Sequence, residues 1–380
     1  MSNPILLAPG PVQLHPQVQQ ILAQPMIHHR TPEFDKVLAH SLSGLKFLFQ
    51  TKQPVFIHTA TGSGGMESSL VNLLSPGDDV LAIVSGKFGE RWAEMAEVFG
   101  ARVHRINCPW GESVNPEDVR TYLKENPRTK IVMTQACETS TGTVHDIQSL
   151  GKIVAETDAL FLVDGITAVG AFPMPMDDWK IDGLVAGSQK GVMLPTGLSF
   201  VSFSEKAWAH VLQAQTPRYY FDLRRELKAN QNGETLFSTS VPLVKALEFI
   251  LSEIQKMGLT QHFKEIRRRA DFTRYMTKVL GLSLFSKSPS DSVTAILLPK
   301  DFKGAELRAH VEKKYAVTVM GGQDQAKGKI IRIGHMGYIL DTHLLEGFNR
   351  FALALKDFDY AVDPVFINAS AEKWLKENPL

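Results

Sequence analysis

Between Pro32 and Gln50 apolar residues recur at spacings of three and four (Phe34, Val37, Leu38, Leu42, Leu45, Leu48), which predicts an amphipathic helix. The period then changes repeatedly. Short apolar runs, "PVFIHTAT", "VLAIVS", "RVHRIN", "KIVMTQA", "ALFLVDG" and "GLVAGSQK", predict strands. Helix-period stretches lie between the first five of them: "GMESSLVNLL", "GERWAEMAEVFG", "NPEDVRTYLKEN" and "IQSLGKIVAET". Asn115 and Pro116 supply the cap and first residue of one helix, and Gly100 ends another. "LSFVSFS" follows as a further strand. Apolar strands alternating with helices predict an α/β fold with a mostly parallel sheet covered on both faces.

From about residue 242 two long helical patterns run to Gly281. After them come "SVTAILLP", a helix at "GAELRAHVEKKY", then "VTVMGG", "IIRIGHMG" and a closing helix, which predicts a smaller C-terminal α+β unit. The boundary falls within 255–285 and divides the chain into a large domain, 16–255, and a small one, 256–380. Residues 1–15, broken by Pro9, Gly10 and Pro11, are expected to be extended. The polar tail beyond Ala361 is expected to pack loosely.

Composition changes little in this picture. The chain has 380 residues, 44% hydrophobic and 21% charged, which is ordinary for a globular protein of two or three domains. A net charge of +1 points to neither nucleic acid nor an acidic membrane surface. Arg267, Arg268 and Arg269 fall in a helical pattern and read as a solvated face. Two cysteines, Cys108 and Cys137, make no disulfide framework, so a cytoplasmic setting is expected. "MSNPILLAPGPVQ" has neither the basic leader nor the apolar core of a signal peptide, and no run approaches the roughly 20 apolar residues of a membrane span.

In such sheets ligands bind beyond the carboxyl ends of strands, so the residues there carry the candidate chemistry. "ATGSGGMESSL" is a glycine-rich turn opening a helix, a place where free N–H groups can take an anion. A plain strand-to-helix turn explains it equally well. It fails the dinucleotide fingerprint at Glu67 and the nucleophile elbow at Thr61. Asp164 follows five apolar residues. By itself it reads more readily as a cap or an ion pair than as the counter-charge of a protonated ring nitrogen. Phe88 in "SGKFGERW" reads as core or as a stacking face, and Thr139, Ser140 and Thr141 as a turn or as ligand contacts. Lys190 reads as a surface lysine or as a reactive amine. Taken together, an anion cradle, an aromatic, an acid and a lysine suit a planar, phosphorylated pyridine aldehyde.

The sequence resembles the class V, fold-type I pyridoxal-phosphate (PLP) aminotransferases, in the branch of alanine–glyoxylate and serine–pyruvate enzymes. The likeness runs from "LLAPGPVQLHP" to "IIRIGHMG" and is most specific at "FLVDGITAVGAFPMPMDDWKIDGLVAGSQKGVMLPTGLSFVSFS". It implies a large domain with a seven-stranded, mostly parallel sheet. It also implies transfer of an amino group from alanine or serine to glyoxylate or pyruvate by ping-pong chemistry. Lys190 matches the lysine that joins the cofactor and moves the substrate proton, and Asp164 the partner of the pyridinium nitrogen. Phe88 matches the stacking aromatic, with Thr139 and Ile166 as further ring contacts. Ser63, Gly64, Gly65 and Gln189 match the phosphate site. Arg332 matches the arginine that grips the substrate carboxylate, and Gly10 lies in the N-terminal segment lining the pocket. The resemblance implies a homodimer with shared active sites, in which Ser238 or Thr239 reaches the neighbouring subunit's phosphate. "HHRTPEF", with His28, His29 and Arg30, resembles a segment at the pocket mouth, although helix-entry structure explains it as well.

Other activities on the same scaffold are a ureidoglycine–glyoxylate or 2-aminoethylphosphonate aminotransferase. A desulfurase is disfavoured, because both cysteines precede residue 140. A catalytically silent subunit is the reading from a different class, since members of this branch carry such labels. The presence of Lys190, Asp164 and Arg332 argues against it.

Overall fold

A computed structural model describes residues 4–380. Among the described residues the largest sheet has seven strands, in the spatial order Val55–His58, Ser199–Phe203, Gly183–Gly187, Leu160–Asp164, Ile131–Gln135, Asp79–Val84 and Arg102–Asn107. Six run the same way, and Ser199–Phe203 runs against both of its neighbours. The sheet is mostly parallel, as the alternation of strands and helices predicts.

Side chains of a strand alternate between faces, and both faces are covered. Phe161 and Val163 join Leu45, Leu48 and Leu247 in one buried core. Leu160 and Leu162 join Met66, Leu70 and Trp92 in the other. Strands buried on both sides read as continuous apolar runs, and the central ones stand out in the sequence for that reason.

The helix after the first strand spans Gly62–Leu73 and so begins earlier than its apolar period. The glycines are its first turn, not a loop ahead of it. They have no side chains to register a period but fit where the helix presses on its neighbours: a Cβ on Gly62 would come 2.6 Å from Ile166 Cδ1. The next helix, Lys87–Val98, likewise takes in Lys87 and Phe88.

The C-terminal part carries a four-stranded antiparallel sheet, Ser283–Leu284, Val293–Leu297, Ile330–Gly334 and Met320–Gly321. Its core includes Phe272, Met276, Ile296, Ile331 and Phe348. The helix Val241–Met257 packs into the core of the large sheet, whereas Leu259–Val279 supplies Phe272 and Met276 to the C-terminal core. The chain start belongs to this second core: Ile5–Leu6 pairs parallel with Val317–Thr318, and Ile5 and Leu7 are buried there. From that anchor the segment runs on to the rim of the large sheet.

The tail departs from expectation. Pro364–Glu377 is a helix that buries Ile367 and Ala371, and its Trp374 ring meets Phe272 edge-on at 5.3 Å. Ile367, Ala371 and Trp374 make its packed face, while Val365 and Phe366 are exposed, so the apolar positions follow no clean period in the sequence.

Candidate active site

The chain bends sharply at each strand end, and one cavity lies beyond five of the parallel strands. It is lined by Thr61, Gly62 and Ser63 after the first, Phe88 and Arg91 after the second, and Thr139 after the third. Asp164 ends the fourth, with Ile166 and Thr167 just beyond it, and Gln189 and Lys190 follow the fifth.

Lys190 lies three residues beyond Gly183–Gly187. The turn is fixed from within: Ser188 Oγ donates to Pro195 O at 2.7 Å and accepts from Leu198 N at 3.1 Å. Gly191 seats the turn on the neighbouring loop, where a Cβ would strike Val169 O at 2.5 Å. Lys190 Nζ donates to Pro9 O at 2.8 Å. Burial, reinforced by the charge of Arg332, pulls the Lys190 ammonium down to about 8. Gly10, at φ 137°, leaves room for it: a Cβ there would lie 2.5 Å from Nζ. Only glycine suits that position on both counts.

Asp164 ends the buried strand Leu160–Asp164, and its Oδ1 accepts from Ile166 N at 2.8 Å. Burial pushes its carboxyl up to about 7, while the Ile166 bond, Lys190 and Arg91 pull the other way. Among the described residues its second oxygen has no protein donor.

Phe88 is held by its backbone. Glu138, fully buried, accepts at Oε2 from Phe88 N and Gly89 N, both at 3.0 Å. Its Oε1 accepts from Ser140 N at 3.0 Å and Ser140 Oγ at 2.6 Å. Thr139 Oγ1 lies 2.8 Å from Thr167 Oγ1, and its carbonyl accepts from Arg332 Nη1 at 2.9 Å. Arg332, on the strand Ile330–Gly334, also donates from Nε to Gly321 O at 3.0 Å. Nη2 is then the guanidinium nitrogen without a protein acceptor among the described residues. Burial draws the Arg332 guanidinium down to about 10.

At the other end of the cavity, the N-cap Thr61 makes no side-chain cap to the helix Gly62–Leu73. Thr61 O accepts from Gly64 N at 2.9 Å and Gly65 N at 3.2 Å, which leaves the N–H groups of Gly62 and Ser63, both on the cavity lining, without an acceptor among the described residues. Gln189 adds an amide whose Oε1 is buried without a hydrogen-bond partner.

Not every expected residue lines this cavity. Gly65 faces the sheet instead, where a Cβ would come 2.8 Å from Val185 Cγ1, and Gly64 faces Ala60 and Phe221. Both also spend their N–H groups on Thr61 O, so they have none to offer a ligand. Ser238 and Thr239 line a separate recess with Thr59 and Tyr220, and Thr239 Oγ1 lies 3.3 Å from Thr59 Oγ1. Arg30 bonds the same segment, pairing with Glu234 at 2.9 Å and donating to Thr235 O at 2.8 Å. The exposed His28 ring packs on that of His29.

The family model for aminotransferase class V matches residues 14–339. The chain belongs to the class V aminotransferases.

Relatives of this class V aminotransferase have varied names. The soluble hydrogenase small subunit of Synechococcus sp. PCC 6716 is 36% identical over 362 residues, 94% of each chain. The L-aspartate–glyoxylate aminotransferase of Paracoccus denitrificans is 34% identical, covering 94% of this chain and 92% of its own. The serine–glyoxylate aminotransferase of Methylorubrum extorquens is 33% identical, covering 99% and 96%. Among solved structures, ureidoglycine–glyoxylate aminotransferase from Bacillus subtilis superposes with a TM-score of 0.93 at 27% identity, covering 100% of this chain and 99% of that one. The fold is that of a fold-type I PLP-dependent transferase.

Class V aminotransferases normally use PLP, and the side chains of the cavity fit that group. The free N–H groups of Gly62 and Ser63 suit a phosphate, and a buried carboxyl with a free oxygen suits a ring N–H. Two contributors escaped the sequence reading. Glu138 lies three residues past the strand Ile131–Gln135, behind the polar Thr134 and Gln135, so it lacks the unbroken apolar run that marks Asp164; only its place at a strand end could have pointed to it. Arg91 stands one helical turn after Phe88 and carried no local signal beyond that spacing.

Proposed function

We propose that this class V aminotransferase binds PLP in the Lys190 cavity and moves an amino group from a small amino acid, alanine or serine, to glyoxylate or pyruvate. The observation that carries the reading is the convergence of Lys190, Asp164 and the uncapped helix start on one cavity. PLP, when bound, supplies an aldehyde for the amino group and a ring that withdraws electrons from the substrate α-carbon.

The residues of the chain do the rest. Lys190, a desolvated amine with a pKa of about 8, takes the proton from the substrate α-carbon and delivers it further along the same face. Asp164 holds a proton on the ring nitrogen, and that cationic partner keeps the carboxylate ionised. Phe88, Thr139 and Ile166 line the cavity and would hold the cofactor ring, Phe88 as the stacking aromatic. Ser63 and Gln189 belong to the phosphate end, where the free N–H groups of Gly62 and Ser63 give the direct contacts, and Gly64 and Gly65 shape the turn behind them. Arg332, held at two backbone carbonyls, offers Nη2 to the substrate carboxylate. Gly10 keeps the space above Lys190 open.

A homodimer with shared sites is part of the proposal. Ser238 and Thr239 lie off their own chain's cavity, which suits a role toward a partner's phosphate. A silent-subunit role is the second reading, favoured by the name of the hydrogenase relative. Borohydride treatment of the purified protein is expected to fix a cofactor mass on Lys190, and Lys190→Ala is expected to bind PLP without turnover. A donor panel of alanine, serine, aspartate and ureidoglycine against glyoxylate and pyruvate identifies the pair. A protein that gains no mass and transfers no amino group from any donor refutes the enzyme reading.

A further inference from the structure

Arg91 lines the cavity between Phe88 and Ser63. Its guanidinium stands 4.8 Å from the centroid of the Phe88 ring, and Nη1 lies 3.4 Å from Ser63 Oγ. Among the described residues it makes no ion pair. The bond to Ser63 is at the long end of the range and cannot hold the charge in place. An arginine beside an uncapped helix start is a half-built anion site: the N–H groups and the helix dipole supply one side, the guanidinium fork the other.

We propose that Arg91 is a direct ligand of the cofactor phosphate, closing the cradle formed by the N–H groups of Gly62 and Ser63 and the Gln189 amide. The assignment rests on the PLP reading of the cavity and deepens it. It gives the phosphate dianion a charged side-chain partner from its own chain, on the helix that carries the stacking aromatic. One helix start would therefore set both the ring and the phosphate of the cofactor.

The alternative role for Arg91 is support of the Phe88 ring alone, through the cation–π contact. Pyridoxal, which has the ring and aldehyde but no phosphate, separates the two. The measurement is the dissociation constant of PLP and of pyridoxal for the cofactor-free protein, read from the absorbance of the bound form. Arg91→Ala is expected to weaken PLP by about 10- to 100-fold, the range of a charge-assisted hydrogen bond, and pyridoxal by less than about twofold. Arg91→Lys keeps the charge but not the fork and is expected to fall between. Equal losses for the two ligands overturn the assignment in favour of ring support, and an unchanged PLP constant overturns it outright. If Arg91→Ala does not fold, Arg91→Lys and Arg91→Gln carry the same comparison. Failure of the wild-type protein to take a cofactor mass on Lys190 defeats the underlying reading instead. A wild-type protein that binds PLP beside an Arg91 variant that binds it equally well defeats this inference alone.

Discussion

Glu138→Leu isolates the clamp behind Phe88. The wild-type carboxylate is fully buried and satisfies three backbone N–H groups, those of Phe88, Gly89 and Ser140, and one hydroxyl. Leucine fills similar volume, accepts nothing and keeps water out. The Ser140 hydroxyl can rotate its proton toward another acceptor while it goes on accepting from Lys87 N at 3.1 Å. The three N–H groups have no such freedom, and each orphaned donor costs about 1–3 kcal/mol. Removing the buried charge returns part of that, because desolvating a carboxylate is itself unfavourable. The expected net loss is about 3 kcal/mol in urea unfolding of the cofactor-free protein. Glu138→Gln is milder. With its oxygen toward Phe88 and Gly89, its amide N–H can donate to Ser140 Oγ, and one orphan remains, the Ser140 N–H, for about 1–2 kcal/mol. Glu138→Ala leaves room for water to replace the lost acceptor and is expected to be less damaging than leucine. A Glu138→Leu protein within about 1 kcal/mol of wild type would refute the argument, because the donors would then have found other acceptors.

Further expectations concern the cavity itself. The Lys190 ammonium has a pKa of about 8 in the folded chain against 10.5 ordinarily, so between those values the unfolded chain holds the extra proton and stability rises with pH. At about 1.4 kcal/mol per unit the window is worth at most about 3 kcal/mol. Cofactor-free Lys190→Met is therefore expected to be more stable than wild type at pH 7, with the gap closing toward pH 10.5, and a pH-independent gap contradicts this. Gly10→Ala forces a methyl against Lys190 Nζ at a φ of 137°, and is expected to lower kcat at least about tenfold, since small displacements of a reacting group are costly. An unchanged kcat would show that the Lys190 amine has room to move. Arg332→Lys keeps the charge and loses the fork, so KM for the amino donor is expected to rise at least about tenfold, and an unaltered KM removes Arg332 from substrate binding.

The apolar runs of the sequence determined that there is a parallel sheet, because strands buried on both faces must be apolar throughout. Its strand ends determined which residues stand on the ligand rim, and Asp164 and Lys190 were visible there as charges where charges are expensive. Tertiary structure alone decided the rest. That Pro9 O and Gly10 meet Lys190, across 181 residues, depends on the chain start pairing with Val317–Thr318 in the other core. That Ser63 lies on the cavity while Gly65 faces the sheet depends on where the first helical turn begins, and glycines carry no period to mark it. That Glu138 clamps Phe88, and that Arg91 reaches Ser63, depends on loops from different strands converging. Local patterning reports which face of an element is buried. It does not report which distant polar atoms the fold brings within hydrogen-bonding distance, and the chemistry of this site is made of those meetings.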